Sequence, residues 1–469
     1  MKIIVKDSGE HIKRFLIIVS TLFLSSSLFF ISPPAGLSSQ GLRAIAIFIV
    51  CVIFWITNVI PLMITSILAV ILFPLVGVMD AARSYSLFGN QAVFFILGAF
   101  ILASSLMRSG LSIRIALLVL KRFGKTPERL LLGILLLSAS MSFIMSEHAV
   151  AAMIFPILME ISDGLRLKNA NSNYGKGLFL SMAWGCIIGG IATFLGGARA
   201  PLAVEILHKT TGKTIGFVEW SSAIIPTVII MLVVLWVVLL RFFPSEIKDV
   251  TRARRVLEKK RLSLGRVTIK EKGIGLLMLA TIFSWITYGE MLGLANIALA
   301  AVVIAFVFKL MKWKEVEEDV NWGIFLMYGG AICLGSGLEE TGAALWLTQN
   351  SIGRFVESPI GLLFLLSFAS TFFSEAISNT AVVALLMPIA IGLATEFSID
   401  PKVITLILTV PAGLAFILPI GTPATALAFS SGFINVKDTI KAGLIIKIIA
   451  WAIFCLMALF YWPLLGIRL

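Results

Sequence analysis

Two short polar triplets, Ser146-Glu147-His148 and Ser378-Asn379-Thr380, interrupt long apolar stretches of this chain 232 positions apart. Each is followed by a second apolar run with a proline in register, Met153-Ile154-Phe155-Pro156 against Leu385-Leu386-Met387-Pro388. Polar groups inside a hydrophobic segment are tolerated only where they are buried in protein or line a cavity. Two such breaks, one in each half, are the pattern of an internally duplicated carrier that builds one central site from both copies.

The solvent of this fold is lipid. Of 469 residues 59% are hydrophobic and the mean hydropathy is +1.03, with apolar runs long enough to cross roughly 30 Å of hydrocarbon. The net charge of +13 reads as cytoplasmic loops rich in Lys and Arg. No long soluble domain is present to bind nucleic acid. Cys51, Cys186, Cys333 and Cys455 are scattered in apolar runs without metal spacing and read as small core residues. Lys2, Lys6, Lys13 and Arg14 precede an apolar run from Phe15, as in a signal peptide. No small-residue cleavage site is evident, so an uncleaved first helix is expected.

The positive-inside bias orders the spans. With the basic N-terminus in the cytoplasm, runs at 15–32, 42–59, 61–79 and 92–119 cross in turn, returning the chain to Lys121, Arg122, Lys125 and Arg129. The next loop (Arg166, Lys168, Lys176) is again basic, so 130–163 must enter and leave by one face. A broken span, 178–207, leads out, and 221–240 leads back to 241–272, which holds eleven Lys/Arg against four Asp/Glu. Spans 273–289 and 293–310 reach Lys312 and Lys314, and 322–348 crosses to the weakly charged loop Asn350–Glu357. A second re-entrant stretch, 359–397, follows; a broken span, 402–431, returns to Lys437 and Lys441, and 442–462 ends outside.

The expected fold is thus an all-α polytopic membrane protein. It is an inverted-repeat bundle of about 11 transmembrane helices with two re-entrant helical hairpins and two broken helices. Its expected parts are scaffold helices in 1–90, a first repeat in 91–240, a basic cytoplasmic linker in 241–272, further scaffold helices in 273–320 and a second repeat in 321–469. Local matches between the halves support the duplication: Leu97-Gly98 with Tyr328-Gly329, Ser109-Gly110 with Thr341-Gly342, Gly197-Ala198 with Gly421-Thr422.

Chemistry concentrates at the tips and breaks. In the second half Ser374, Ser378, Asn379 and Thr380 lie on one hairpin, and Gly421-Thr422-Pro423-Ala424-Thr425 interrupts a later span. Glycine and proline break the helix and free backbone carbonyls. Carbonyls, an amide oxygen and hydroxyls are hard ligands suited to an alkali cation, while resumed helix N-termini suit an anion. The alternative is that Ser-Asn-Thr is a helix cap or an interhelical hydrogen-bond patch.

The first half differs, with Glu147 and His148 at its tip and Gly196-Gly197-Ala198-Arg199-Ala200-Pro201 at its break. Ionisable groups in the membrane interior are functional candidates by default. Three readings stay open. Arg199 pairs with Glu147 and stands as a fixed cation in place of a metal ion; Glu147 and His148 carry protons; or a structural salt bridge locks the hairpin. Elsewhere Asn90 and Asn321 read as helix caps, Glu339 and Glu340 as a helix end, and Glu375 as facing the site or pairing locally. The run Glu315, Glu317, Glu318, Asp319 reads as a solvated face.

These residues resemble the divalent anion–sodium symporters, carriers of dicarboxylates, citrate or sulfate, over roughly residues 40–465. The resemblance rests on Ser378-Asn379-Thr380, on Gly421-Thr422-Pro423 before Ala424-Thr425, and on Gly189-Gly190-Ile191-Ala192-Thr193. It implies a homodimer in the plasma membrane that moves a transport domain like an elevator, with substrate between the tips and a sodium ion beside each. Carried over, the second sodium site comprises the Ser374 hydroxyl, the Asn379 side chain and carbonyls around Ile377 and Gly421. Ser378, Asn379, Thr380, Thr422 and Pro423 meet the anion, joined from the first tip by Ser146 and His148. The first sodium site keeps Ser142, Ser146 and Gly196, but Glu147 stands for Asn, His148 for Thr, and Arg199 where proline is expected. The resemblance therefore implies Na+ as coupling ion at one site, no covalent cofactor, and a Glu147/His148/Arg199 cluster in place of the other sodium. Fewer sodium ions, proton coupling or anion exchange would follow. A membrane enzyme using Glu147-His148 as acid and base lacks a nucleophile, metal cluster or cofactor motif, and a channel lacks a ring of like charges.

Overall fold

The computed structural model describes residues 2–167, 172–350, 358–419 and 421–468; Lys168 and residues 351–357 of the expected loops lie outside them. Every described regular element is a helix. The chain opens with α1 (Lys2–Ser27), α2 (Ser39–Thr57), α3 (Leu62–Leu75), the short α4 (Ala81–Ser86), α5 (Gln91–Ser109) and α6 (Leu111–Phe123). Then come α7 (Pro127–Met141), α8 (Glu147–Leu165), α9 (Asn173–Gly189), α10 (Arg199–Thr211), α11 (Phe217–Phe242) and α12 (Thr251–Ser263). The second half holds α13 (Ile269–Leu292), α14 (Leu294–Val307), α15 (Trp313–Asp319), α16 (Trp322–Glu340) and α17 (Ala343–Asn350). It ends with α18 (Pro359–Ala376), α19 (Asn379–Glu396), α20 (Pro401–Thr409), α21 (Pro423–Ser430) and α22 (Val436–Phe460). Among the described residues, eight helices are long and apolar enough to cross a membrane, and four shorter apolar helices accompany them.

Helix starts repeat between the halves because their capping chemistry repeats. Thr126 caps α7 and Ser358 caps α18, each with a proline at the first helical position, where its missing N–H goes unneeded and its φ is already helical. Asn90 caps α5 and Asn321 caps α16, as expected. The run expected to cross as one piece over 92–119 is two helices. Gly110, at φ 86°, ends α5, and α6 departs from it with Ala116, Leu117 and Leu120 buried and Lys121 and Arg122 in its last turn. Left-handed φ at a helix end favours glycine. The expected span 322–348 divides the same way, at Gly342 with φ 71°. The paired motifs Ser109-Gly110 and Thr341-Gly342 thus mark one helix stop in each half.

The acidic run of α15 is more than a solvated face. Arg108 donates to Asp319 through Nε (2.8 Å) and Nη2 (2.6 Å) and to Glu318 (2.9 Å), and Ser104 also donates to Asp319. Bidentate pairing of this kind fixes geometry as well as charge, and it holds the Asp319 carboxyl below the usual carboxylate range. Glu339 and Glu340 close α16, and Glu340 pairs with Arg83 at 2.7 Å. All four cysteines are buried.

The core is built on backbone-close helix contacts. α9 is buried along nearly its whole length against α7 and presents glycines to it. A Cβ on Gly189 would lie 2.3 Å from the Ala139 carbonyl oxygen and one on Gly185 2.9 Å from that of Leu135. Small residues let helices approach where apolar lipid gives no hydrophobic drive to pack. Gly189→Ala, which meets backbone that cannot swing aside, is expected to destabilise the protein by about 3 kcal/mol, measured as thermal unfolding in detergent. Gly212→Ala, with nothing within 4 Å of its added Cβ, is the comparison that carries only its own backbone strain (φ 69°).

Candidate functional site

Each helical pair α7–α8 and α18–α19 turns at its expected polar triplet, and each break in α9–α10 and α20–α21 lies against a turn. In the first half Ser146 caps α8, and Glu147, its first residue, donates its backbone N–H to Gly196 O (3.0 Å). Thr193 Oγ1 donates to Phe143 O at 2.7 Å, a second tie between break and turn. The break between Gly190 and Ala198 is thereby tied to the turn at two points.

Arg199 opens α10 and is 3% exposed; Glu147 is 8% exposed. Arg199 Nη1 stands 3.9 Å from Glu147 Oε1, a loose pair. Glu147 Oε2 and Arg199 Nη2 have no hydrogen-bond partner among the described residues. The expected pairing therefore forms but leaves one donor and one acceptor unfilled. Glycines make room for both groups. A Cβ on Gly190 would sit 3.2 Å from Glu147 Oε2, one on Gly197 2.5 Å from Arg199 Nη1, and one on Gly413 2.5 Å from Arg199 Nη2. Gly413 belongs to the 3-10 turn Pro411–Gly413 that follows α20, so Arg199 reaches from the first half into the second. His148 is exposed, and among the described residues no hydrogen bond or ion pair joins it to Glu147 or Arg199. The structure brings together two members of the expected trio.

In the second half Ser378 begins the turn into α19, and Asn379 and Thr380 are each 7% exposed. Asn379 Oδ1 is buried without a hydrogen-bond partner among the described residues. The fully buried Ser374 donates to Thr371 O (2.7 Å), which leaves its oxygen lone pairs free. Ile377 is buried at the C-cap of α18. Thr422 caps α21, accepting from Thr425 N–H at 3.1 Å, and Pro423 follows as the exposed first helical residue. Gly421 is buried beside Glu375; its added Cβ would lie 3.4 Å from Glu375 Oε2.

Glu375 does what the sequence left open. Its carboxylate accepts the backbone N–H groups of Phe416 (2.8 Å), Ile417 (3.2 Å) and Leu418 (2.9 Å). It also accepts Lys447 Nζ at 2.7 Å. Lys447, on α22, is fully buried, reaches Leu414 O at 3.3 Å and lies 5.1 Å from the centre of the Phe372 ring. This carboxylate ties the unwound chain after α20 to the first arm of the hairpin. Trp184 on α9 donates to Phe416 O (3.0 Å) and fixes the same segment from the other half. Lys447 and Gly413 are the two residues of this site that the motifs do not reach. A lone lysine inside the apolar run 442–462 was a readable signal, because an intramembrane charge demands a partner. Gly413 carried no such signal.

The two halves exchange partners. The helix after the first break, α10, packs against α19 and α20; the helix after the second, α21, packs against α8 and α9. Each resumed half-helix thus lies on the hairpin of the other half, and the two turns and two breaks come to one region.

A model of the sodium:sulfate symporter transmembrane region matches residues 10–468. The sodium-dependent dicarboxylate transporter SdcS of Staphylococcus saprophyticus is 28% identical over 476 residues, 96% of this chain and 91% of that protein. SdcS of Staphylococcus aureus is 29% identical, covering 96% and 92%. The solved Alcanivorax borkumensis YdaH transporter has the same fold at 14% identity, with a TM-score of 0.53 over 82% of this chain and 90% of that one. Helical architecture, hairpin motifs and a match over nearly the whole length agree: this chain belongs to the sodium:sulfate symporter family, whose members are transporters and not enzymes.

Proposed function

We propose that the protein is a secondary active carrier of small divalent anions (dicarboxylate, tricarboxylate or sulfate), coupled to sodium through the second-half site alone. The carrying observation is the contrast between the halves. Asn379 offers a buried, unpartnered oxygen, and in this reading the buried Ser374 hydroxyl and the carbonyls around Ile377 and Gly421 complete a donor set of hard oxygens. The matching place in the first half holds the Glu147–Arg199 pair, charges of the protein itself. Ser146, His148, Ser378, Thr380, Thr422 and Pro423 then face the anion, with helix N-termini supplying partial positive charge. The names of the relatives, sodium-dependent and dicarboxylate, support the same reading.

In this reading the chain lies in the plasma membrane with its N-terminus in the cytoplasm and its C-terminus outside. Residues 91–240 and 321–469 form inverted repeats whose hairpins enter from opposite leaflets. Scaffold helices lie in 1–90 and 273–320, the 241–272 linker is cytoplasmic, and a homodimer works by elevator movement. The free Oε2 of Glu147 favours a second reading, in which that carboxylate carries a proton and transport is proton-coupled or an exchange.

Counterflow tests the carrier. Proteoliposomes preloaded with succinate or sulfate are expected to accumulate the labelled anion transiently, and sodium gradients to drive net uptake. Flux without counterflow would indicate a channel, and net uptake driven by a proton gradient in sodium-free buffer would favour the second reading.

A further inference from the structure

Helices α6 and α7 meet at a short turn, Gly124-Lys125-Thr126, in which the Lys125 N–H donates to Phe123 O at 2.8 Å. Phe123 packs on Gly133 of α7 so closely that an added Cβ there would lie 2.5 Å from the Phe123 Cβ. The two helices are therefore held side by side. An open pocket of about 550 Å³ lies over this junction, lined by Lys121, Arg122, Lys125 and Arg129 and by no described carboxylate. Lys121 pairs with Glu258 at 3.1 Å, a carboxylate that also takes Arg261. Arg122, Lys125 and Arg129 are exposed and have no ion-pair partner among the described residues.

Both helices change character one turn away from these cations. On α6, Leu118 precedes Lys121 and Arg122 by a helical turn, lines the pocket and is 54% exposed. On α7, Leu132 follows Arg129 by a turn and lines the pocket with it, and Leu136, a turn further, is 36% exposed. Exposed leucines on a polytopic membrane protein face acyl chains, and lysine and arginine at their border face headgroups. Cations that only set orientation need not converge, whereas these four share one pocket with leucines beside it. A soluble anion or an acidic protein segment would gain nothing from those leucines. We propose that this pocket binds the headgroup of an anionic phospholipid, its phosphate among Arg122, Lys125 and Arg129 and its acyl chains along Leu118 and Leu132. A zwitterionic headgroup brings its own ammonium, which the same cations repel. Because α7 runs from this pocket to the turn at Glu147, a bound lipid fixes the outer end of the first hairpin arm.

The test uses the purified full-length protein in uncharged detergent, titrated with dioctanoyl phosphatidylglycerol, dioctanoyl phosphatidylcholine or glycerol phosphate while thermal unfolding is followed. A saturable rise in melting temperature is expected with the phosphatidylglycerol, since a ligand of the folded state stabilises it, and little or none with the other two. Arg122→Gln/Arg129→Gln is expected to weaken the phosphatidylglycerol by about tenfold or more, since each cation near an anionic lipid is worth about fivefold. Arg254→Gln/Arg255→Gln on α12 removes as much exposed positive charge outside the pocket and is expected to leave that affinity unchanged. No shift with phosphatidylglycerol, equal shifts with the two lipids, or a full shift with glycerol phosphate would overturn the proposal. So would a pocket variant that loses no more affinity than the α12 variant. If the pocket variant does not fold, the comparison of the three ligands on the unsubstituted protein decides.

Discussion

Lys447→Met is expected to be among the most damaging single substitutions in this protein, lowering stability by about 3–5 kcal/mol, because removing one partner of a buried ion pair strands the other. Lys447 is fully buried and Glu375 is 7% exposed, so water cannot replace the lost ammonium. The three backbone N–H groups that Glu375 also accepts are dipoles, not a charge. The loss should fall on the unwound segment after α20 and on the sodium site proposed there. Glu375→Gln alone is expected to be similarly severe, since it leaves Lys447 unpaired and removes an anchor for those N–H groups. The double variant Glu375→Gln/Lys447→Met carries neither charge and should recover much of the loss. Thermal unfolding in detergent reads all three. A Lys447→Met protein that melts within about 2 °C of the parent, where 1 kcal/mol is worth a few degrees, would contradict this assignment.

Asn379→Ala is expected to separate binding from stability. An unpartnered buried oxygen costs about 1–3 kcal/mol, so removing it should leave the sodium-free protein as stable as the parent or slightly more so. Sodium-driven uptake should fall on the order of 100-fold, since even outer partners of a metal site are worth 10–100-fold in affinity. Sodium should stabilise the parent against heat, as any ligand of the folded state does, and should fail to stabilise the variant. A variant that is destabilised without sodium, yet keeps its sodium-dependent shift, would make Asn379 a structural cap instead.

Much of the architecture was legible because membrane solvation leaves few options. Polar triplets inside apolar runs had to turn the chain, and they do at 142–146 and 377–378. Gly-Pro breaks had to interrupt helices, and they do before Arg199 and Pro423. Thr126-Pro127 and Ser358-Pro359 start helices by local chemistry alone. Less visible was where helices stop within an apolar run. Gly110 and Gly342 each sit among residues that suit a continuing helix, and only their left-handed backbone ends it. Partner choice was the least visible. Glu375 could have faced an ion or a side chain, and what settles it is Lys447, 72 residues away on α22, which tertiary packing alone brings near. The same holds for Arg199 against Gly413. His148 follows Glu147 in sequence, yet successive residues on a helix point about 100° apart, and only Glu147 is buried against Arg199.

The coupling claim is tested most directly by initial rates of succinate uptake into proteoliposomes as external sodium is varied at fixed pH and membrane potential. If Arg199 and Glu147 permanently fill the first cation position and Asn379 serves the second, the rate rises hyperbolically with sodium, as for one ion. A sigmoidal rise that requires two or more sodium ions would contradict it.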